Sequence, residues 1–82
     1  MGMWTNINGQ IVSPKLSAKK IIKLVLDGED WTGNFEPDNR FSVRFEQSGN
    51  EAMGSINMII KLAKSRDKNC KIDIEVETTF KL

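Results

Sequence analysis

Histidine is absent from the chain, and cysteine occurs once, at Cys70. The first absence removes the commonest general base and the commonest metal ligand. The two together exclude a structural zinc site, and a Cys-His or Ser-His nucleophile, assembled within the chain. A single thiol also excludes an intramolecular disulfide, so the expectation is a reducing, cytoplasmic setting rather than a disulfide-stapled secreted domain. No apolar run approaches the roughly 20 residues that cross a bilayer. The N-terminus lacks a basic region followed by an apolar one, and the opening MGMWTN departs from the myristoylation pattern at Asn6. Neither a membrane span nor membrane attachment is therefore expected.

A charge excess is lacking as well. Twelve Lys and Arg stand against 11 Asp and Glu, which removes both the general basic bias of a dedicated nucleic-acid binder and the acidity of a DNA mimic. No GxxxxGK[ST] loop occurs, and Gly28 and Gly33 do not reproduce GxGxxG, so no nucleotide or other cofactor is expected. At 82 residues and 39% hydrophobic content, the chain 1–82 reads as one small domain with a modest core.

The strongest pattern present is at the end. In KIDIEVETTFKL, Ile72, Ile74, Val76, Phe80 and Leu82 alternate with Lys71, Asp73, Glu75, Glu77, Thr79 and Lys81. This is a half-buried strand whose sheet keeps one face in water. RFSVRFEQ alternates in the same way, with Phe41, Val43 and Phe45 on the apolar side. Between the two strands, Ala52, Met53, Ile56, Ile59, Ile60 and Ala63 recur at helical spacing, with Glu51 at one end and Lys61, Lys64, Arg66 and Lys68 at the other. Strand, helix 51–66 and strand form a β-α-β unit over residues 41–81, with the two strands running in the same direction. Upstream, Asn8-Gly9 between two short β-forming runs in residues 3–13 predicts a hairpin turn. Residues 17–26, with Ser17 as a cap and Ala18, Ile21, Ile22, Val25 and Leu26 at helical spacing, predict a helix. Their β-branched content also suits a buried strand. The fold class expected is α+β: a small single-domain mixed sheet with helices on one face.

Residues 27–39 hold two glycines, a proline and five acidic residues with no basic one, and read as a long loop. Asp27, Glu29, Asp30, Glu36 and Asp38 are candidates for a carboxylate metal loop. Counted from Asp27, a calcium loop requires an oxygen ligand where Trp31 stands and glycine where Thr32 stands. No metal is expected, and a metal-dependent enzyme using residues 27–38 is the least favoured reading.

Lys15, Lys19, Lys20 and Lys23 fall within nine residues with no carboxylate among them. On a helix, Lys15, Lys19 and Lys23 share a stripe at i, i+4 and i+8, each like-charge neighbour costing roughly a few tenths of a kcal/mol, and Lys19 and Lys20 oppose the helix dipole. Such a stripe suits an anionic partner; the bland alternative is neutralisation by the acidic stretch downstream. Trp31 and Phe35 either fold inward as a lid or act as contact anchors. Phe41 and Phe45 share the face of Val43 and read as core rather than as a base-stacking platform. The C-terminal strand has no later element to cover its edge, so it is open to pairing with a second copy, as a homodimer, or with a partner's strand.

The function expected is a small non-enzymatic protein-interaction module, an adaptor or inhibitor of the size found in phages and mobile elements, with Trp31, Phe35, Lys15, Lys19, Lys20 and Lys23 contacting an unidentified protein. The alternative is a nucleic-acid-binding accessory protein using Lys15, Lys19, Lys20, Lys23 and Arg40.

Overall fold

The computed structural model describes residues 3–47 and 49–80. Ser48, Lys81 and Leu82 lie outside the described residues, as do the side chains of Thr79 and Phe80. The elements run β1 (Met3–Val12), α1 (Ala18–Val25), β2 (Trp31–Phe35), β3 (Arg40–Glu46), α2 (Gly49–Arg66) and β4 (Lys71–Phe80). The four strands form one sheet in the order β2-β3-β1-β4, and every neighbouring pair is antiparallel.

The α+β class with both helices contributing to one core is as expected. The pairing differs from a mixed sheet. Strands β3 and β4 do point the same way, as a β-α-β unit requires, but β1 lies between them and is antiparallel to both. This is the split β-α-β arrangement, here in the order β-α-β-β-α-β.

That insertion overturns the hairpin predicted in residues 3–13. Strand β1 continues through Asn8-Gly9, which pair with Ser42 and Phe41 on one side and Glu75 and Ile74 on the other. Glycine at position 9 answers to close backbone approach rather than to a turn. A Cβ there would collide with the Asp73 carbonyl, coming within 2.9 Å of its carbon and 3.0 Å of the Ile74 Cα.

The long loop 27–39 is corrected too. Its centre is the border strand β2, in which Trp31 and Phe35 are paired with Phe45 and Phe41 of β3, and Gly33 with Val43. Glycine in the middle of this short alternation hides it in the sequence. The turn into β3 is tight: Asn39 N–H donates to Glu36 O at 3.0 Å and Glu36 N–H to Arg40 O at 2.8 Å. Asn39 adopts a left-handed backbone with φ 67°, a conformation that asparagine tolerates.

The core is one cluster. Ile7 and Ile11 of β1 and Phe41, Val43 and Phe45 of β3 meet Ala18, Ile21, Ile22 and Leu26 from the first helical segment and Ala52, Ile56, Ile59 and Ala63 from α2. Met53, expected on the buried stripe of α2, is exposed instead, as is Met58. The opposite face of the sheet carries Asn8, Ser42, Arg44, Asp73 and Glu75, all exposed. No described helix is long and apolar enough to cross a membrane.

Candidate interaction surface

Helix α1 begins where two side chains take its free N–H groups. Ser17 Oγ accepts from Lys20 N–H at 3.4 Å, and Asn39 Oδ1, from the β2–β3 turn, accepts from Ala18 N–H at 3.1 Å. Asn39 Nδ2 donates to Leu16 O at 2.8 Å. Sequence reasoning missed Asn39, because its partners lie more than twenty positions away.

With Ala18, Ile21 and Ile22 buried, α1 turns Lys19, Lys20, Lys23 and Leu24 outward. Leu24 is 56% exposed. Lys20, Lys23, Leu24, Asp27 and Arg66 line one shallow depression between α1 and the end of α2. Lys20 and Arg66 also border the adjoining hollow, with Lys15 and Leu16. The structure thus brings Lys15, Lys20 and Lys23 together and adds Arg66 and Leu24, neither of which was singled out as a site residue. Arg66 reads in the sequence only as a helix-dipole partner. Leu24 was visible as the apolar residue out of phase with the α1 stripe. Lys19 is exposed on α1 but lines neither hollow.

Of the acidic stretch, Asp27 lines the same depression as Lys20, Lys23 and Arg66. Among the described residues the ion pair recorded is Arg40 with Asp38 at 2.8 Å, and it holds the Asp38 carboxyl below the usual aspartate range through a hydrogen bond and its charge.

The loop that carries Lys15 is tied down. Ser13 Oγ donates to Asp67 Oδ2 at 2.5 Å and accepts from Lys15 N–H at 3.1 Å, while Asp67 Oδ1 accepts from Asn69 N–H at 3.1 Å. The Ser13 hydroxyl first, and the Asn69 N–H second, hold the Asp67 carboxyl below its ordinary value, with Lys15 and Lys64 adding a smaller effect. Lys64 Nζ donates to Cys70 O at 2.6 Å and so is drawn away from the basic hollow. Cys70 itself is buried in the core.

Trp31 and Phe35 are half-buried and pack against the core cluster. Their rings meet edge to face, with centroids 6.3 Å apart at 83°. Gly33 lies between them: a Cβ there would stand 3.1 Å from Trp31 and 3.2 Å from Phe35.

Arg40 is not part of the lysine surface. It alternates with buried Phe41 and lies on the open face of the sheet, among Asn8, Gln10, Asp73 and Glu75. The carboxylates of residues 27–38 are divided as well. Asp27, Glu29 and Asp30 precede β2, while Glu36 and Asp38 follow it, a separation of roughly 16 Å along five extended residues. Among the described residues no group of three acidic or cysteine side chains is placed to hold a metal ion. The open face also holds Arg44, whose Nε donates to Asn6 Oδ1 at 2.8 Å and whose guanidinium lies 5.9 Å from the centre of the Trp4 ring.

No known protein family matches the chain, and no curated protein matches it. Among solved structures it is similar to the de novo designed protein Foldit4, at 18% identity and a TM-score of 0.59 over the whole of both chains. It is similar to protein SP2199 from Streptococcus pneumoniae, at 14% identity and a TM-score of 0.59 over 94% of this chain and 86% of that one. It is also similar to acylphosphatase from Bacillus subtilis, at 15% identity and a TM-score of 0.60 over all of this chain and 89% of that one. At these identities the likeness is one of fold, and a fold shared by a designed protein and an acylphosphatase carries no activity by itself.

Proposed function

We propose that this chain is a small non-enzymatic protein-interaction module, an adaptor or inhibitor, whose contact surface is the basic hollow between α1 and the end of α2. The observation that supports this reading is the convergence of three cations, Lys20, Lys23 and Arg66, against one carboxylate, Asp27, on the exposed Leu24. Cations surrounding an apolar side chain suit an acidic protein segment that also presents an apolar residue, because the apolar contact contributes affinity while the charges steer encounter and fix orientation. Lys15 extends the surface at one end and Lys19 lies beside it on α1. Trp31 and Phe35 keep part of their surface free at the β2 border and serve as a second, apolar contact of the same module.

The nucleic-acid reading loses Arg40 from its footprint, since that side chain lies on the other face of the sheet and is paired with Asp38. Affinity capture with the folded protein separates the readings. The protein-interaction reading expects capture to fall with Leu24→Ser and with Lys20→Glu/Lys23→Glu, and to be restored by neither lower salt nor added nucleic acid. Loss confined to Trp31→Ala moves the contact to β2. Saturable binding of labelled single-stranded DNA or RNA, indifferent to Leu24→Ser and falling steeply with salt, overturns the proposal in favour of phosphate recognition.

A further inference from the structure

Strand β4 borders the sheet, pairing with β1 on one side and with no described strand on the other. Its ten residues therefore present a row of backbone N–H and C=O groups outward, a template for one more strand. The side chains along it are unusually uniform. Asp73, Glu75 and Glu77 project from the open face, all exposed. Their neighbours across the ladder are Gln10, Asn8 and Asn6, three neutral amides, and none of the three carboxylates has an ion pair among the described residues. On the helix side of the same strand Ile72 and Ile74 are only half-buried and Val76 is 46% exposed. The edge thus offers negative charge on one face and uncovered apolar surface on the other.

A second copy of the chain is a poor occupant. Self-pairing over the full strand length, antiparallel and centred on Glu75, sets Asp73 opposite Glu77 twice and Glu75 opposite itself, and like charges directly opposite destabilise a ladder. We infer that β4 is a docking edge for an extended segment of another protein that alternates basic with apolar residues. Its lysines or arginines would stand opposite Asp73, Glu75 and Glu77, its apolar residues would cover Ile74 and Val76, and main-chain hydrogen bonds would supply the register. This surface is chemically the reverse of the basic hollow on α1, and recognition at β4 does not depend on that hollow.

The test uses the whole protein and a capped peptide that alternates lysine with valine and is long enough to span residues 71–77. Amide chemical shifts are followed during titration. The expected result is saturable binding with shifts concentrated in residues 71–78. A peptide N-methylated at alternate amides, or one with glutamate in place of lysine, and the protein variant Asp73→Lys/Glu75→Lys, each weaken binding at least about tenfold, with the circular dichroism of the variant unchanged. Equal binding by the N-methylated peptide overturns the inference, because contact would then be electrostatic without a ladder. Shifts confined to α1, or a stable dimer of the chain alone in sedimentation that excludes the peptide, overturn it also. Should Asp73→Lys/Glu75→Lys fail to fold, the two peptide controls decide alone.

Discussion

Asn39 and Leu16, far apart in the chain, are joined by an Nδ2–H···O bond of 2.8 Å, and the same amide accepts from Ala18 N–H at 3.1 Å. One side chain at φ 67° thus shapes the β2–β3 turn and caps α1. Replacing it separates the two roles. Asn39→Gly keeps the left-handed backbone and loses both side-chain bonds, with an expected cost of about 1 kcal/mol. Asn39→Ala adds the left-handed strain, roughly 1 kcal/mol more. Urea unfolding measures both, and equal stability of the glycine variant and the parent would show that the side-chain bonds contribute nothing.

Thr5 presents the opposite case. It is buried against the core, and its Oγ1 has no hydrogen-bond partner among the described residues. Valine has the same shape without the hydroxyl. Thr5→Val is expected to raise stability by about 1 kcal/mol, since an unsatisfied buried donor and acceptor costs about 1–3 kcal/mol. A lower denaturation midpoint for the variant would point to a partner for the hydroxyl.

Gly9 predicts a large loss. A Cβ at that position meets backbone of β4 rather than a movable side chain, so the central strand must shift away from its neighbour. Gly9→Ala is expected to cost about 3 kcal/mol, read as a fall in the urea midpoint. Gly33→Ala should cost less, because the atoms it meets belong to the Trp31, Phe35 and Val43 side chains.

Asp67 gives a pH dependence of definite sign. Its carboxyl titrates below the ordinary 3.8 in the folded protein, through the Ser13 hydroxyl and the Asn69 N–H. The unfolded chain therefore binds the proton at higher pH than the folded one does. The stabilisation is complete above the unfolded value and is lost as pH falls through the folded one. Asp38, lowered by Arg40, contributes in the same direction and window. Unfolding curves collected from about pH 5 down to pH 2 should show stability falling more steeply in the parent than in Asp67→Asn. An unchanged slope would show that the Asp67 contacts with Ser13 and Asn69 contribute nothing to it.

The well-marked elements were those whose periodicity belongs to a single buried face. Strands β3 and β4 and helix α2 were legible in this way, whereas the β-branched residues of 17–26 suited a buried strand as well as the helix α1 that forms. What failed were the places where glycine takes an apolar position because another atom occupies the space its side chain would fill. At Gly9 that atom is the Asp73 carbonyl, and a pair that usually marks a turn became the middle of the central strand. At Gly33 it is a pair of aromatic rings, and β2 was hidden in an apparent loop. The lysine cluster was legible as composition; its apolar centre at Leu24 and its fourth cation at Arg66 required the α1–α2 packing. Met53 fell on the right helix but outside the buried arc.

The placement of β1 between β3 and β4 also dictates the order in which the molecule can be completed during synthesis. Met3 pairs with Phe80, and Val12 with Lys71, so β1 waits until β4 has been synthesised before one of its two sides is covered. Until then Ile7 and Ile11 lie on a strand with one open edge, a hazard for aggregation. Closure of so distant a pair is slow relative to local hairpin formation. In a nascent chain lacking residues 71–80 the central strand has no partner on its β4 side, and protection of that edge depends on how quickly translation passes residue 80.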